Sequence, residues 1–305
     1  VNKVKDDKMT PDEKTELKLN IGKIPQIIPD NTDRNRTSPM AFTGNKFEFR
    51  AVGSSANCGP AMIVLNTILA NQLKEFKTEV ETFIEKGFDK DEAIFKVLRS
   101  YIKSSSNILF EGNGYSEEWV KEAEKRGLSN FKTTPEALKA YIYDKSIRLF
   151  EENGVFSNKE LHARYEIRLE NYVKVIQIES RVLADISGNH IIPTAIKYQN
   201  ILIENVKGIR EILLDVTGSE HADAMIYTIS KIAEHIAAIR NNISLMIAER
   251  KKANQISDIC QRAEAYCSKV KPYFHEIRYH VDKLEILVDD QMWPLPKYRE
   301  MLFIR

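Results

Sequence analysis

The chain has 305 residues, 43% of them hydrophobic and 29% charged, with a net charge of +1. That length allows one large or two modest domains with a core that needs no disulfides. The near-neutral balance offers no field to recruit nucleic acid or an acidic membrane surface, and no run reaches the roughly 18–20 apolar residues that span a bilayer. The three cysteines, Cys58, Cys260 and Cys267, are odd in number and form no CxxC, so reduced thiols in a cytoplasmic protein are expected. The polar start, Val1 to Lys8, has no signal-peptide core. It also lacks an initiator Met, which predicts that the chain begins inside a longer protein.

In chain order, Thr10, Pro11 and Glu13 make a capping signature for a short helix to about Leu19. Residues 30–39 have loop composition, dense in Asp, Asn, Thr, Arg and Ser. Lys46-Phe47-Glu48-Phe49-Arg50-Ala51-Val52 alternates polar and apolar, which predicts a strand with Phe47 and Phe49 on one face and Lys46, Glu48 and Arg50 on the other. From Asn57 onward the pattern is helical. Met62, Leu65, Leu69, Leu73, Phe76, Val80 and Phe83 form one apolar stripe, and Gly87 suits its C-terminal cap.

A helix follows from about Asp89 to Ser104, then a loop at 111–115 and short helices starting near Ser116 and Thr134. Ser157 and Glu160 make a second capping box, opening a long helix that reaches Ile186, with a kink or break expected at Pro193. A turn is expected at Thr217-Gly218-Ser219. Beyond it Met225, Ile229, Ile232, Ile236, Ile239, Ile243 and Met246 step by four and three, which is heptad spacing and predicts pairing of the two long helices as an antiparallel hairpin. Helical pattern resumes through Ile256–Tyr266 and Tyr273–Val288, before a short structured tail. The expected fold is mainly α (α+β), with one clear strand followed by a long-helix antiparallel bundle. The expected divisions are 1–56, 57–156 and 157–305.

Candidate chemistry crowds into 34–50. Arg34 and Arg36 flank Asn35 in a loop, and paired guanidinium donors suit phosphate or carboxylate oxygens. Glu48 between Lys46 and Arg50 is either a salt-bridge partner on a solvated strand face or a ligand for a hard metal ion. The six histidines show no HxxxH or HExxH, and Gly112-Asn113-Gly114 is not a P-loop because no Gly-Lys-Ser/Thr follows.

Asn35-Arg36-Thr37-Ser38, followed by Asn45-Lys46-Phe47-Glu48-Phe49-Arg50-Ala51-Val52-Gly53-Ser54-Ser55, resembles the distal active-site stretch of glutamine synthetases. Asp30-Asn31-Thr32-Asp33, Met40-Ala41-Phe42-Thr43-Gly44-Asn45 and the ending Pro294-Leu295-Pro296-Lys297-Tyr298-Arg299-Glu300-Met301-Leu302 resemble the type III branch. The likeness extends along essentially the whole chain, through Ala163-Arg164-Tyr165-Glu166 and Ile277–Glu285. It implies the C-terminal portion of a cytoplasmic, homo-oligomeric ligase that joins ammonia to glutamate with ATP through a γ-glutamyl phosphate. It further implies that Arg36 is catalytic and faces the nucleotide phosphates, and that Lys46 lies beside the nucleotide where the family usually has an arginine. Glu48 would ligate Mg²⁺ or Mn²⁺, and Arg50 would hold glutamate. Ala41 stands where classical forms carry a further arginine. The family's other metal ligands lie upstream of this motif, so the chain would be inactive alone. The competing readings are a helical assembly module without activity of its own, and a related carboxylate–amine ligase.

Overall fold

The computed structural model describes residues 40–42, 47–49, 56–108, 114–212 and 216–302. The predicted helix at 10–19, the loop at 30–39, and Arg34, Arg36, Lys46 and Arg50 lie outside the described residues. The chain divides into two compact units, residues 1–131 with 143–158, and residues 132–142 with 159–305.

In the first unit, β1 (Met40–Phe42) pairs antiparallel with β2 (Phe47–Phe49), placing Met40 opposite Phe49, Ala41 opposite Glu48 and Phe42 opposite Phe47. This corrects the α+β expectation. The clear strand predicted over 46–52 reduces to three described residues, no larger sheet exists among the described residues, and the fold is mainly helical. Alternation marks extended backbone but does not supply a ladder partner, and three residues a side make only a marginal pair. Four residues that include Gly44 and Asn45 separate the two strands, a hairpin signal that could have revealed β1.

Helices α1 (Gly59–Glu85) and α2 (Lys90–Ser104) then pack together. Their shared core is Val80, Ala93 and Val97, with Phe76, Phe83, Phe88, Ile94 and Tyr101 against it. Only the C-terminal part of the predicted α1 stripe enters that core, for Met62, Leu69 and Leu73 are exposed. The link between the helices is a Schellman turn. Phe88 N–H donates to Phe83 O and Gly87 N–H to Ile84 O, while Gly87 takes φ of +89°. Asp89 then caps α2 by accepting from Asp91 N–H. A Cβ at position 87 would meet no atom within 4 Å, so the strain is purely conformational. Gly87→Ala should therefore lower stability by about 1 kcal/mol, seen as a shifted urea midpoint at unchanged slope.

After α3 (Glu117–Lys125), which Ser116 caps through Trp119 N–H, the first unit finishes with α5 (Asp144–Glu152). Asn153 donates to Asn71 Oδ1 at 2.9 Å, fixing the end of α5 to α1.

The second unit begins with α4 (Thr134–Leu138), which carries Pro135 in its first turn. The rest comprises α6 (Asn158–Asp185), α7 (Ile192–Ile212), α8 (Val216–Asn254), α9 (Ile259–Ala265), α10 (Pro272–Leu287) and the short α11 (Tyr298–Met301). The 39-residue α8 is the spine, packed along both α7 and α10. Its Ile232, Ile236, Ile239 and Met246 are buried with Leu169, Ile176, Tyr266, Ile277 and Leu284 in one core. The hairpin partner of α8 is α7, beyond Pro193, rather than the run ending at Ile186. Thr217-Gly218-Ser219 lie inside the first turn of α8 rather than in the predicted turn.

Pro193 does not break the chain. Residues Ile186–Ile191 form a π-helical turn, and Ile192 N–H donates to Ser187 O, five residues back. The same device recurs at Tyr266–Val270 ahead of Pro272, with Lys271 N–H donating to Tyr266 O. A proline ring clashes with the carbonyl four residues before it, and a widened turn removes that clash while keeping the helix continuous. Among the described residues no helix is long and apolar enough to cross a membrane.

Candidate functional site

The only sequence-predicted site residue among those described is Glu48, at the centre of β2 and opposite Ala41 across the pair. Ala41, the nearest equivalent of the further arginine expected from the resemblance, thus stands directly across from Glu48. Arg36, Lys46 and Arg50 lie outside the described residues. A carboxylate oxygen suits a hard divalent cation, but such an ion takes about six ligands. Among the described residues no group of three His, Cys, Asp or Glu could hold a metal. Among the described residues there is thus one candidate ligand there and not a complete cage.

The second unit holds polar pairs that the sequence did not point to. His235 of α8 and His280 of α10 bring their Nδ1 atoms to 2.9 Å, with the rings 5.2 Å apart. That approach requires one Nδ1 to carry the proton and the other to be bare. Burial, and then the charge of His280, push the His235 pKa below its ordinary value. Lys231 and Lys283 act in the same direction, and Glu234 opposes them. The two histidines are 45 residues apart, so no local spacing motif could reveal them. Their adjacency to the core positions Ile236 and Val281 was the available signal.

This pair has a pH consequence. Because His235 is depressed in the fold, the unfolded chain binds more protons once pH falls to about 6.5. Stability should therefore decline as pH drops through that value toward the folded pKa. The fall in melting temperature from pH 7.5 to 5.5 should be smaller in His235→Gln than in the unaltered chain.

At the other end of α8, Tyr266 is fully buried and donates to Asn254 Oδ1 at 2.7 Å, while Arg262 Nε donates to Ile256 O at 2.7 Å. Tyr165 donates to Cys260 Sγ at 3.1 Å, and burial raises its phenol pKa. Cys260 lies between Tyr165 and Glu264 Oε1, which is 3.8 Å away and itself bonded by Lys139 at 2.7 Å. These contacts join α6, α8, α9 and the 3-10 turn at Lys139–Ile142, and agree with a packing role for Cys260.

Comparison with known proteins supplies what the described geometry leaves open. Residues 93–210 match the glutamine synthetase C-terminal domain. The chain is 49% identical over all 305 of its residues to a glutamine synthetase of Bacteroides fragilis (strain YCH46), covering 42% of that protein. It is 35% identical over 290 residues to the type-3 glutamine synthetase of Dictyostelium discoideum, covering 95% of this chain and 39% of that one. A glutamine synthetase of Butyrivibrio fibrisolvens is 34% identical over 279 residues, or 90% of this chain and 38% of its own length.

Residues 93–210 thus match the glutamine synthetase C-terminal domain, and the whole chain is similar to glutamine synthetases, a type-3 one among them. It spans about two fifths of the length of the curated relatives it matches.

Proposed function

We infer that this chain is the C-terminal portion of an ATP-dependent glutamate–ammonia ligase, and that it completes an active site whose remaining groups lie elsewhere in the whole protein. The observation that carries this reading is 49% identity to a glutamine synthetase over all 305 residues of the chain. The substrates are glutamate, ammonia and ATP, with a γ-glutamyl phosphate as intermediate. Mg²⁺ or Mn²⁺ would neutralise phosphate charge when bound, and Glu48 would contribute one oxygen to it. Arg36 and Lys46 would face the nucleotide, where fixed cations stabilise charge that grows during phosphoryl transfer. Arg50 would clamp the substrate carboxylate through paired donors. The working enzyme is a cytoplasmic homo-oligomer in this reading.

Glutamine formation by the complete protein, dependent on all three substrates, is the test. The 305-residue chain alone should give none. An equally inactive complete protein would favour the assembly-module reading, and consumption of an amine other than ammonia would favour a related ligase. Residue roles separate by kinetics. Arg50→Lys should raise KM for glutamate about tenfold, since lysine keeps the charge and loses the fork. Arg36→Lys should instead lower kcat about tenfold, because its partner charge develops in the transition state. Equal losses of melting temperature with unchanged kinetics would mean that both arginines only pin the loop.

A further inference from the structure

In the second unit, the C-terminal end of α6 and its π-helical turn, α10 and the tail enclose a groove of about 510 Å³. Val182, Leu183, Phe274, Val281 and Leu295 give it apolar walls. That volume falls within the usual range for small-molecule sites, which are mostly apolar with a few placed polar groups.

One such group is present. Ser187, in the π turn, lines the groove and is fully buried, and its hydroxyl has no hydrogen-bond partner. A helical serine ordinarily donates to a carbonyl three or four residues back. Ser180, Ser244 and Ser268 of this chain all do so, at 2.8, 3.0 and 2.7 Å. Ser187 does not: its hydroxyl is left without a partner in the π turn. A buried hydroxyl left unpaired carries a desolvation penalty that a ligand with one matching polar group removes.

The charged residues of the lining set the ligand's charge. Arg278 and Glu179 are opposite in sign, and Arg278 is 71% exposed with Asp282 at 3.5 Å. They cancel, and an exposed cation already beside a carboxylate is weakly selective.

We propose that this groove binds a neutral, mainly apolar small molecule whose single hydroxyl or carbonyl group hydrogen-bonds Ser187. The site owes nothing to the glutamine synthetase reading and stands or falls without it.

Three probes of one shape test it on the full chain by fluorescence titration and calorimetry, namely 2-naphthol, naphthalene and 2-naphthoate. The expected result is saturable one-to-one binding of 2-naphthol, with 2-naphthoate at least about tenfold weaker. Ser187→Ala should weaken 2-naphthol about fivefold, the worth of one hydrogen bond, and leave naphthalene unchanged. Leu295→Trp, which fills the groove, should abolish binding of both while the melting temperature holds. It keeps the test open should the Ser187 variant fail to fold. Absence of saturable binding would overturn the proposal, as would equal losses for naphthol and naphthalene in Ser187→Ala or binding that survives Leu295→Trp. Sedimentation showing two copies joined across the groove, with naphthol excluded, would do so as well.

Discussion

Glu48→Gln in the complete synthetase should cut glutamine formation by about a hundredfold or more while the helical circular dichroism signal stays at its unaltered level. Gln is close to Glu in size and can still sit in the centre of β2 opposite Ala41, so the backbone pairing has no reason to change. What it loses is the negative charge, and a hard cation takes carboxylate oxygens for that charge. Changes one shell out from a metal already cost about 10- to 100-fold, so a direct ligand should cost at least as much. Raising the metal concentration should restore part of the activity if affinity is what was lost. Near-normal turnover at ordinary metal concentrations would return Glu48 to the other reading, a salt-bridge partner between Lys46 and Arg50 on a solvated strand face.

What the sequence made legible follows from which signals are local. The α8 stripe from Met225 to Met246 was readable because heptad spacing is a one-dimensional property, and Ile232, Ile236, Ile239 and Met246 are buried as it requires. Gly87 and Asp89 were readable because cap chemistry is decided within a few residues. Of the strand predicted over 46–52 only Phe47–Phe49 is described, within a mainly helical fold, since alternation is local and does not supply a larger sheet. Of the kink or break expected at Pro193, the break does not occur, and a π turn stands there instead. A proline in helical sequence forces some change, and whether it is a break or a π turn depends on packing from α8 and α10. The predicted partner of α8 was wrong for the same reason, because the helical run continues past Pro193 into α7. The His235–His280 pair and the unpartnered Ser187 hydroxyl arise from tertiary approach, which no local spacing motif records. For the candidate site, the motif named its residues, yet Arg36, Lys46 and Arg50 fall outside the described residues and only the placement of Glu48 opposite Ala41 is added by the structure.

The largest stability loss should come from the middle of α8. Ile239 is fully buried, and it lies on the stripe through which α8 enters the core it shares with α6 and α10. Ile239→Ala removes three carbons from this core, and the surrounding helices can close only part of the space. Buried Ile→Ala changes cost about 2–5 kcal/mol, from lost transfer energy together with the cavity left behind. The upper half of that range applies here, because α8 is held along its length by both α7 and α10 and is poorly placed to shift toward the gap. Tyr227, 65% exposed on the same helix, serves as the control, and Tyr227→Ala should change stability by about 0.5 kcal/mol or less. Urea denaturation followed by circular dichroism reads both. Equal, small shifts in midpoint for the two variants would show that the buried row of α8 does not hold the second unit together. A large shift for Ile239→Ala alone would fix that row as the centre of the second unit's stability.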